Sequence, residues 1–203
     1  MRIVILGYTG LIGKSVLKYL ANFTSSYLIC VGRSIRNKPY RNSKIRYLRW
    51  DFRSFEKPNL LFLKKTDVII NCIGKTDNSL NDLENINVNF IRELLRYISI
   101  YKLKVRFLHL SSVAVYGESI NYFGRYKIIS ENSKIKADNQ YSKSKFKGDL
   151  LIQNVVKKRI NKNFSYTILR ISNVFGGTKK TNLFKFVKFS LKFGFWIKCS
   201  NKI

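Results

Sequence analysis

Residues 2–20 read RIVILGYTGLIGKSVLKYL. The apolar run Ile3, Val4, Ile5, Leu6 predicts a strand, the glycines at 7, 10 and 13 a turn, and Leu11, Ile12, Val16, Leu17 and Leu20 one face of a helix. Such a turn points the free amides of a helix N-terminus outward, and without Cβ atoms it lets a pyrophosphate come close to the backbone. Tight packing of strand against helix would ask for similar glycines, so a phosphate cradle and a purely structural turn are both open from this stretch alone.

Further along, residues 27–31 (YLICV) predict a second buried strand, followed by Gly32, Arg33 and Ser34. About twenty residues past the glycines, a dinucleotide fold would place an acid for the adenosine ribose hydroxyls. Arg33 stands there instead, with Ser34, Arg36 and Lys38 close by. A guanidinium suits a 2′-phosphate, which favours NADP with NAD as the alternative; the other reading is a solvated basic loop. Residues 45–50 predict a third strand with Asp51 at its end, placed to meet adenine or to cap a helix running through Phe55 and Leu60 to Leu63.

Residues 68–73 (VIINCI) predict a strand buried on both faces and closed by Gly74, and residues 83–101 a long helix with Ile86, Phe90, Leu94, Leu95 and Ile98 at helical spacing. Near its start, Asn87 and Asn89 could reach a cofactor or be solvated. Continuous apolar strands alternating with helices imply a parallel sheet covered on both faces. A fifth strand over residues 105–110 runs into Ser111, Ser112 and the segment VAVYG, whose hydroxyls lie where open parallel sheets place their chemistry. His109, the single histidine, is expected in the core with a satisfied ring nitrogen.

Residues 118–140 read as a long polar loop, and a helix follows from Tyr141 through Val156. Tyr141 and Lys145, four apart, share a helical face, and an ammonium beside a phenol would favour the phenolate and make proton transfer feasible. In a chain rich in both residues, the spacing alone also arises by chance. Residues 164–169 predict a sixth strand, leading to Arg170, Ser172, Asn173 and Gly176-Gly177; residues 183–195 predict a basic surface helix carrying Lys185, Lys188 and Lys192.

The 203 residues, 45% hydrophobic, suffice for one substantial core and would be cramped as a two-domain enzyme. The first apolar run is too short for a signal peptide, and no stretch reaches the ~18 apolar residues of a membrane span, so a cytoplasmic location is expected. Cys30, Cys72 and Cys199 lack CxxC spacing, which supports neither a zinc site nor a disulfide framework. A net charge of +28 raises nucleic acid or anionic lipid as partners. The lysines are spread over the whole chain among abundant Asn, Ile, Phe and Tyr, the signature of an A+T-rich coding sequence, so nucleic-acid binding is not expected.

Set in order, Gly7, Gly10 and Gly13, the serine before VAVYG, the pentad YSKSK (141–145) and LRISNVFG (169–176) make the chain resemble the extended short-chain dehydrogenase/reductases, in their nucleotide-sugar epimerase, dehydratase and reductase branch. The resemblance spans essentially the whole chain. It implies an α/β fold with a doubly wound Rossmann-type parallel sheet: a dinucleotide-binding domain over residues 1–177 and the start of an incomplete substrate region over 178–203. It implies further that Gly7, Gly10 and Gly13 bind the pyrophosphate, that Thr9, Leu11, Ile12 and Arg33 also bind the cofactor, that Asp51 approaches adenine, and that Gly74 and Asn87 lie along the cofactor. Catalysis would fall to Ser112, Tyr141 and Lys145. Tyr141 would exchange a proton with a sugar oxygen that Ser112 also binds, while Lys145 would hold the nicotinamide ribose and lower the pKa of Tyr141. Ser112, Tyr116 and Asn173 would meet the nucleotide-sugar substrate, and a homodimer would pair through the long helices after strands four and five.

Departures from the family pattern narrow this expectation. Dehydratases of the family carry an acid pair where this chain has Val113 and Ala114, which points to epimerisation or ketone reduction in, for instance, surface polysaccharide synthesis. Phe90 replaces a small residue. Members usually continue for about another hundred residues, on the scale of a small domain, so the substrate lobe is expected to be largely absent. A catalytically silent dinucleotide-binding module is the alternative.

Overall fold

Each of the six expected strands forms: β1 (Arg2–Leu6), β2 (Tyr27–Gly32), β3 (Ile45–Arg49), β4 (Val68–Asn71), β5 (Val105–Ser112) and β6 (Phe164–Ile171). They form one sheet in the order β3-β2-β1-β4-β5-β6, every neighbouring pair parallel. Parallel neighbours need crossover connections, and the long polar and amphipathic stretches between the runs supply them. The order reverses between β1 and β4, which opens a crevice at the carboxyl ends of those two strands. This computed structural model describes residues 1–36, 38–52, 60–76, 80–117, 128–174 and 192. The chain divides into two compact units, Met1–Ile171 and Ser172–Ile203, and all the elements named here belong to the first.

Alternation along β1 explains the two layers. Ile3 and Ile5 pack with Leu17 of α1 (Leu11–Phe23) and with Leu28 and Cys30. Val4 and Leu6 face the opposite way, into a larger core with Phe107, Leu94 and Ile98 of α3 (Phe90–Ile100) and Ile152 of α4 (Gln140–Lys157). Helices on both faces of a parallel sheet make the fold α/β and doubly wound, of the Rossmann type.

Several boundaries differ from those expected. The strand expected over residues 68–73 ends at Asn71, because the Asn71 side chain accepts the Ile73 amide at 3.1 Å and turns the chain. β5 runs two residues further, pairing Ser111 with Arg170 and Ser112 with Ile171. The helix expected from residue 83 starts at Leu80 as α2 (Leu80–Glu84) and widens into a π-helical turn, Asn85–Asn89, before α3. α4 starts at Gln140, where Asn139 and Ser142 form a reciprocal capping box. Of the helix expected after β3, residues 60–65 form a 3₁₀ turn and residues 53–59 lie outside the described residues. The same is true of residues 118–127 of the long loop, of Gly176 and Gly177, of Cys199, and of the basic helix expected over 183–195 apart from Lys192.

Phe90 is buried against Trp50 and Phe52, with ring centroids 5.1 Å from each, so its bulk fills the core. Among the described residues, no helix is long and apolar enough to cross a membrane, and no three His, Cys, Asp or Glu side chains cluster as a metal site would require.

Candidate active site

The glycine turn sits at the crevice. Gly7 has φ +79°, a left-handed conformation that a side chain would strain, and a Cβ there would lie 3.1 Å from Ile73 beyond β4. A Cβ on Gly13 would stand 2.2 Å from the Gly7 carbonyl oxygen, so only glycine lets α1 approach the turn this closely. The first intrahelical bond of α1 runs from the Lys14 amide to the Gly10 carbonyl, so the amides of Leu11, Ile12 and Gly13 precede it and have no acceptor within the helix. No side chain caps this end, and no acid lies in the first turn. Thr9 and Gly10 are exposed, and Leu11 and Ile12 are half-buried. Open amides, the positive end of a thirteen-residue helix and a cradle that a Cβ would fill are what a pyrophosphate needs.

At the end of β2, a Cβ on Gly32 would come within 2.9 Å of the Tyr8 ring, and the Tyr8 hydroxyl donates to the Ser34 carbonyl at 3.1 Å. This fixes the turn carrying Arg33 and Ser34, both exposed, while Asp51 is half-buried just past β3. Arg33 and Asp51 thus follow neighbouring strands, at the carboxyl end of the sheet on the β2–β3 side of the glycine turn.

The other expected residues gather beyond β4 and β5. Lys145 is 3% exposed, and its Nζ donates to the Leu110 carbonyl at 2.5 Å. A Cβ on Gly74 would lie 3.8 Å from that Nζ and 3.8 Å from Asn87 Oδ1. Asn87, on the π-helical turn, exchanges two 3.0 Å hydrogen bonds with the backbone of Lys75 and donates to Ser144 Oγ at 2.9 Å. Its amide therefore clamps the Gly74–Lys75 segment to α4. Ser144 in turn donates to the Tyr141 carbonyl at 2.7 Å. A π-helical turn at such a clamp is a common local distortion at functional sites.

Ser112 caps the short turn Val113–Tyr116, accepting from the Ala114 amide at 3.2 Å, and its hydroxyl is near enough to Tyr141 to act on it. Burial raises the Tyr141 pKa, and the neighbouring Ser112 hydroxyl opposes that rise. The expectation that the Lys145 ammonium lowers it is not met in this arrangement: the lysine acts instead on the Leu110 carbonyl, Asp149 and His109. Burial pushes Lys145 itself down to about 8, against the pull of Asp149.

Behind the lysine lies a buried polar chain that the sequence reading did not single out. Arg170 Nε donates to Asp149 Oδ2 at 3.1 Å and Arg170 Nη1 to the Tyr116 hydroxyl at 2.7 Å, so Tyr116, expected at the substrate, is buried with its hydroxyl engaged by Arg170. His109 is fully enclosed; its Nδ1 accepts from Asn71 Nδ2 at 3.1 Å. Burial first, and the Lys145 cation second, hold its pKa well below the usual range, so it is neutral. The signal for Asp149 was its spacing, four residues past Lys145 on the same helical face. Asn173, also expected at the substrate, belongs to the second unit and is exposed.

Comparison with known proteins adds the family to this geometry. A search of curated protein sequences finds no match. Among solved structures, UDP-glucuronic acid 4-epimerase from Bacillus cereus in complex with NAD is similar at 20% identity and TM-score 0.76, over 95% of this chain and 63% of that one. dTDP-glucose 4,6-dehydratase from Streptomyces venezuelae with NAD bound is similar at 20% identity and TM-score 0.75, over 96% and 63%. A UDP-galactose 4-epimerase gives 18% identity and TM-score 0.70, over 95% and 63%. The chain thus spans somewhat under two thirds of the length of these structures. The NAD dependent epimerase/dehydratase family matches residues 3–188, nearly the whole sequence. By that match, the chain belongs to the NAD dependent epimerase/dehydratase family.

Proposed function

We propose that the chain is a nicotinamide-dinucleotide-dependent epimerase or ketoreductase acting on a nucleotide-linked sugar. The observation that carries this reading is that the Ser112 hydroxyl acts on Tyr141, on the same face of the fold as the enclosed Lys145, at the carboxyl end of a sheet whose first turn is shaped as a phosphate cradle. Gly7, Thr9, Gly10, Leu11, Ile12 and Gly13 would hold the pyrophosphate, Asp51 the adenine, and Gly74, Tyr141 and Lys145 the nicotinamide half, with Asn87 fixing the Gly74 segment. When bound, the cofactor supplies hydride exchange with the sugar carbon.

The protein supplies orientation and the proton. Tyr141 gives its proton to, or takes one from, the sugar oxygen, and Ser112 hydrogen-bonds both that oxygen and the tyrosine. Lys145 provides the positive charge that favours phenolate character once substrate and cofactor complete the site. With Val113 and Ala114 where an acid pair would serve to expel water, the chemistry is epimerisation or reduction. Arg33 favours NADP, although the NAD bound in two of the similar structures keeps NAD as the alternative. The biological setting would be surface polysaccharide synthesis in the cytoplasm, and a homodimer would pair through α3 and α4.

The test is Tyr141→Phe, assayed with UDP- and dTDP-sugars by NMR of the sugar carbons. Turnover should fall by at least about 10²-fold, the scale of lost proton transfer, with dinucleotide affinity unchanged. Undiminished turnover would falsify the assigned mechanism. A second reading is a dinucleotide-binding module without turnover. Cofactor binding without turnover of any such sugar would support it.

A further inference from the structure

Tyr8 stands in the glycine turn, between Gly7 and Thr9, and its side chain reaches out of the turn to the loop after β2. It is 2% exposed. Its ring lies against Gly32, where a Cβ would come within 2.9 Å of it, and tilts on the Tyr47 ring of β3 with centroids 5.3 Å apart. Burial raises the Tyr8 pKa, so the hydroxyl keeps its proton and donates it to the Ser34 carbonyl at 3.1 Å. Filling the core would need only the ring; the hydroxyl is spent on a loop whose Arg33 and Ser34 are exposed.

That bond completes the fixing of one short stretch of backbone. The Val31 carbonyl accepts from the Gly7 amide at 2.8 Å, the Gly32 carbonyl from the Trp50 amide at 2.9 Å, and the Ser34 carbonyl from Tyr8. Arg33 therefore stands between two anchored carbonyls. The Ser34 hydroxyl accepts from the Arg36 amide at 3.3 Å and turns the chain there. At the far end of the loop, the Tyr47 hydroxyl donates to the Tyr40 carbonyl at 3.0 Å and accepts from its amide at 3.2 Å. Between these anchors residues 33–44 carry Arg33, Arg36, Lys38, Arg41 and Lys44, and no acid.

We propose that Tyr8 is a specificity-determining positioning residue: its hydroxyl ties the Arg33 loop to the glycine turn, so that one dinucleotide meets the cradle with its pyrophosphate and the loop with a 2′-phosphate. The inference rests on reading Arg33 as the 2′-phosphate group. A loop arginine that must be ordered during binding costs affinity, and a tether made beforehand removes that cost. Only the ligand that uses the arginine gains. The pyrophosphate is common to both cofactors, so damage to the cradle itself would weaken both alike.

The test is Tyr8→Phe, which keeps the ring and removes the hydroxyl, titrated with NADPH and with NADH beside Arg33→Ala and the double variant, with urea unfolding to show that each is folded. Tyr8→Phe should weaken NADPH about fivefold, the scale of one neutral hydrogen bond, and leave NADH unchanged. Added to Arg33→Ala, it should change the NADPH-to-NADH ratio little further, because the two residues act through one contact. Equal weakening of both cofactors in folded Tyr8→Phe, with Arg33→Ala still selective, overturns the role of Tyr8 and leaves the Arg33 reading standing. A native chain that binds NADPH no more tightly than NADH overturns both. If Tyr8→Phe does not fold, Gly32→Ala, whose methyl would press the Tyr8 ring away from the loop, is read in its place and should lower NADPH affinity selectively; equal loss for both cofactors there overturns the proposal.

Discussion

Enclosing Lys145 has a cost that can be measured against pH. The ammonium titrates at about 8 in the folded chain against 10.5 when free, a gap of about 2.5 pH units, and at 1.36 kcal/mol per unit this amounts to about 3 kcal/mol of stability forgone at neutral pH. The sign follows from proton binding. Between pH 8 and 10.5 the unfolded chain holds the lysine proton and the folded chain has lost it, so stability rises with pH in that window. From pH 7.5 to 9 the rise attributable to Lys145 is about 1 kcal/mol. Cys30 and Cys72 work in the opposite direction, because burial pushes both thiols from 9.0 up to about 12, and the folded chain keeps protons that the unfolded chain loses as pH passes 9. The comparison is therefore best made as a difference, with urea unfolding of the native chain and of Lys145→Met at pH 7.5, 8.25 and 9. The gap between the two stabilities should move by about 1 kcal/mol in favour of the native chain. Two parallel pH profiles would show that the folded chain does not depress this lysine, and the reasoning would fail.

Two other substitutions examine the glycine turn and the loop after β2. Gly13→Ala puts a methyl 2.2 Å from the Gly7 carbonyl oxygen, backbone against backbone, so urea unfolding should show a loss of about 2 kcal/mol or more and fluorescence titration at least about tenfold weaker dinucleotide binding. Native values for both would mean that the turn is not the close-packed cradle described. Arg33→Ala should weaken NADPH binding about tenfold or more while leaving NADH unchanged, the scale of one charge-assisted hydrogen bond; equal loss for both cofactors would remove the case for NADP.

Most of the sheet was legible because the central strands are apolar, β-branched runs closed by a polar or glycine residue, while β3 (IRYLR) and β6 (FSYTILRI) alternate polar and apolar side chains. The ends were less so. VIINCI continues apolar through Cys72 and Ile73 because those residues pack against Gly7 beyond the end of the strand, where apolarity no longer signals pairing. The π-helical turn at Asn85–Asn89 left no trace in the periodicity, since five residues do not separate a wider helix from an ordinary one; what holds it is the clamp from Asn87 to Lys75 and Ser144, a contact between distant segments. Spacing put Tyr141 and Lys145 on one face but could not show where the lysine charge goes. In the fold it goes to the Leu110 carbonyl, and burial decides the tyrosine. Likewise, VAVYG marked the end of β5, while the engagement of Tyr116 by Arg170 depended on β5 and β6 pairing through Ser112 and Ile171.

The central claim is that the fold holds a nicotinamide dinucleotide across the β1–β4 crevice, with its reactive end at Tyr141 and Lys145. Its most direct measurement is a titration of the 203-residue chain with NADPH and with NADH, followed by nicotinamide fluorescence, in the native chain and in Tyr141→Phe and Gly13→Ala. Saturable one-to-one binding of at least one cofactor, retained in Tyr141→Phe and weakened in Gly13→Ala, is the predicted result. No saturable binding of either cofactor to the folded native chain would contradict it.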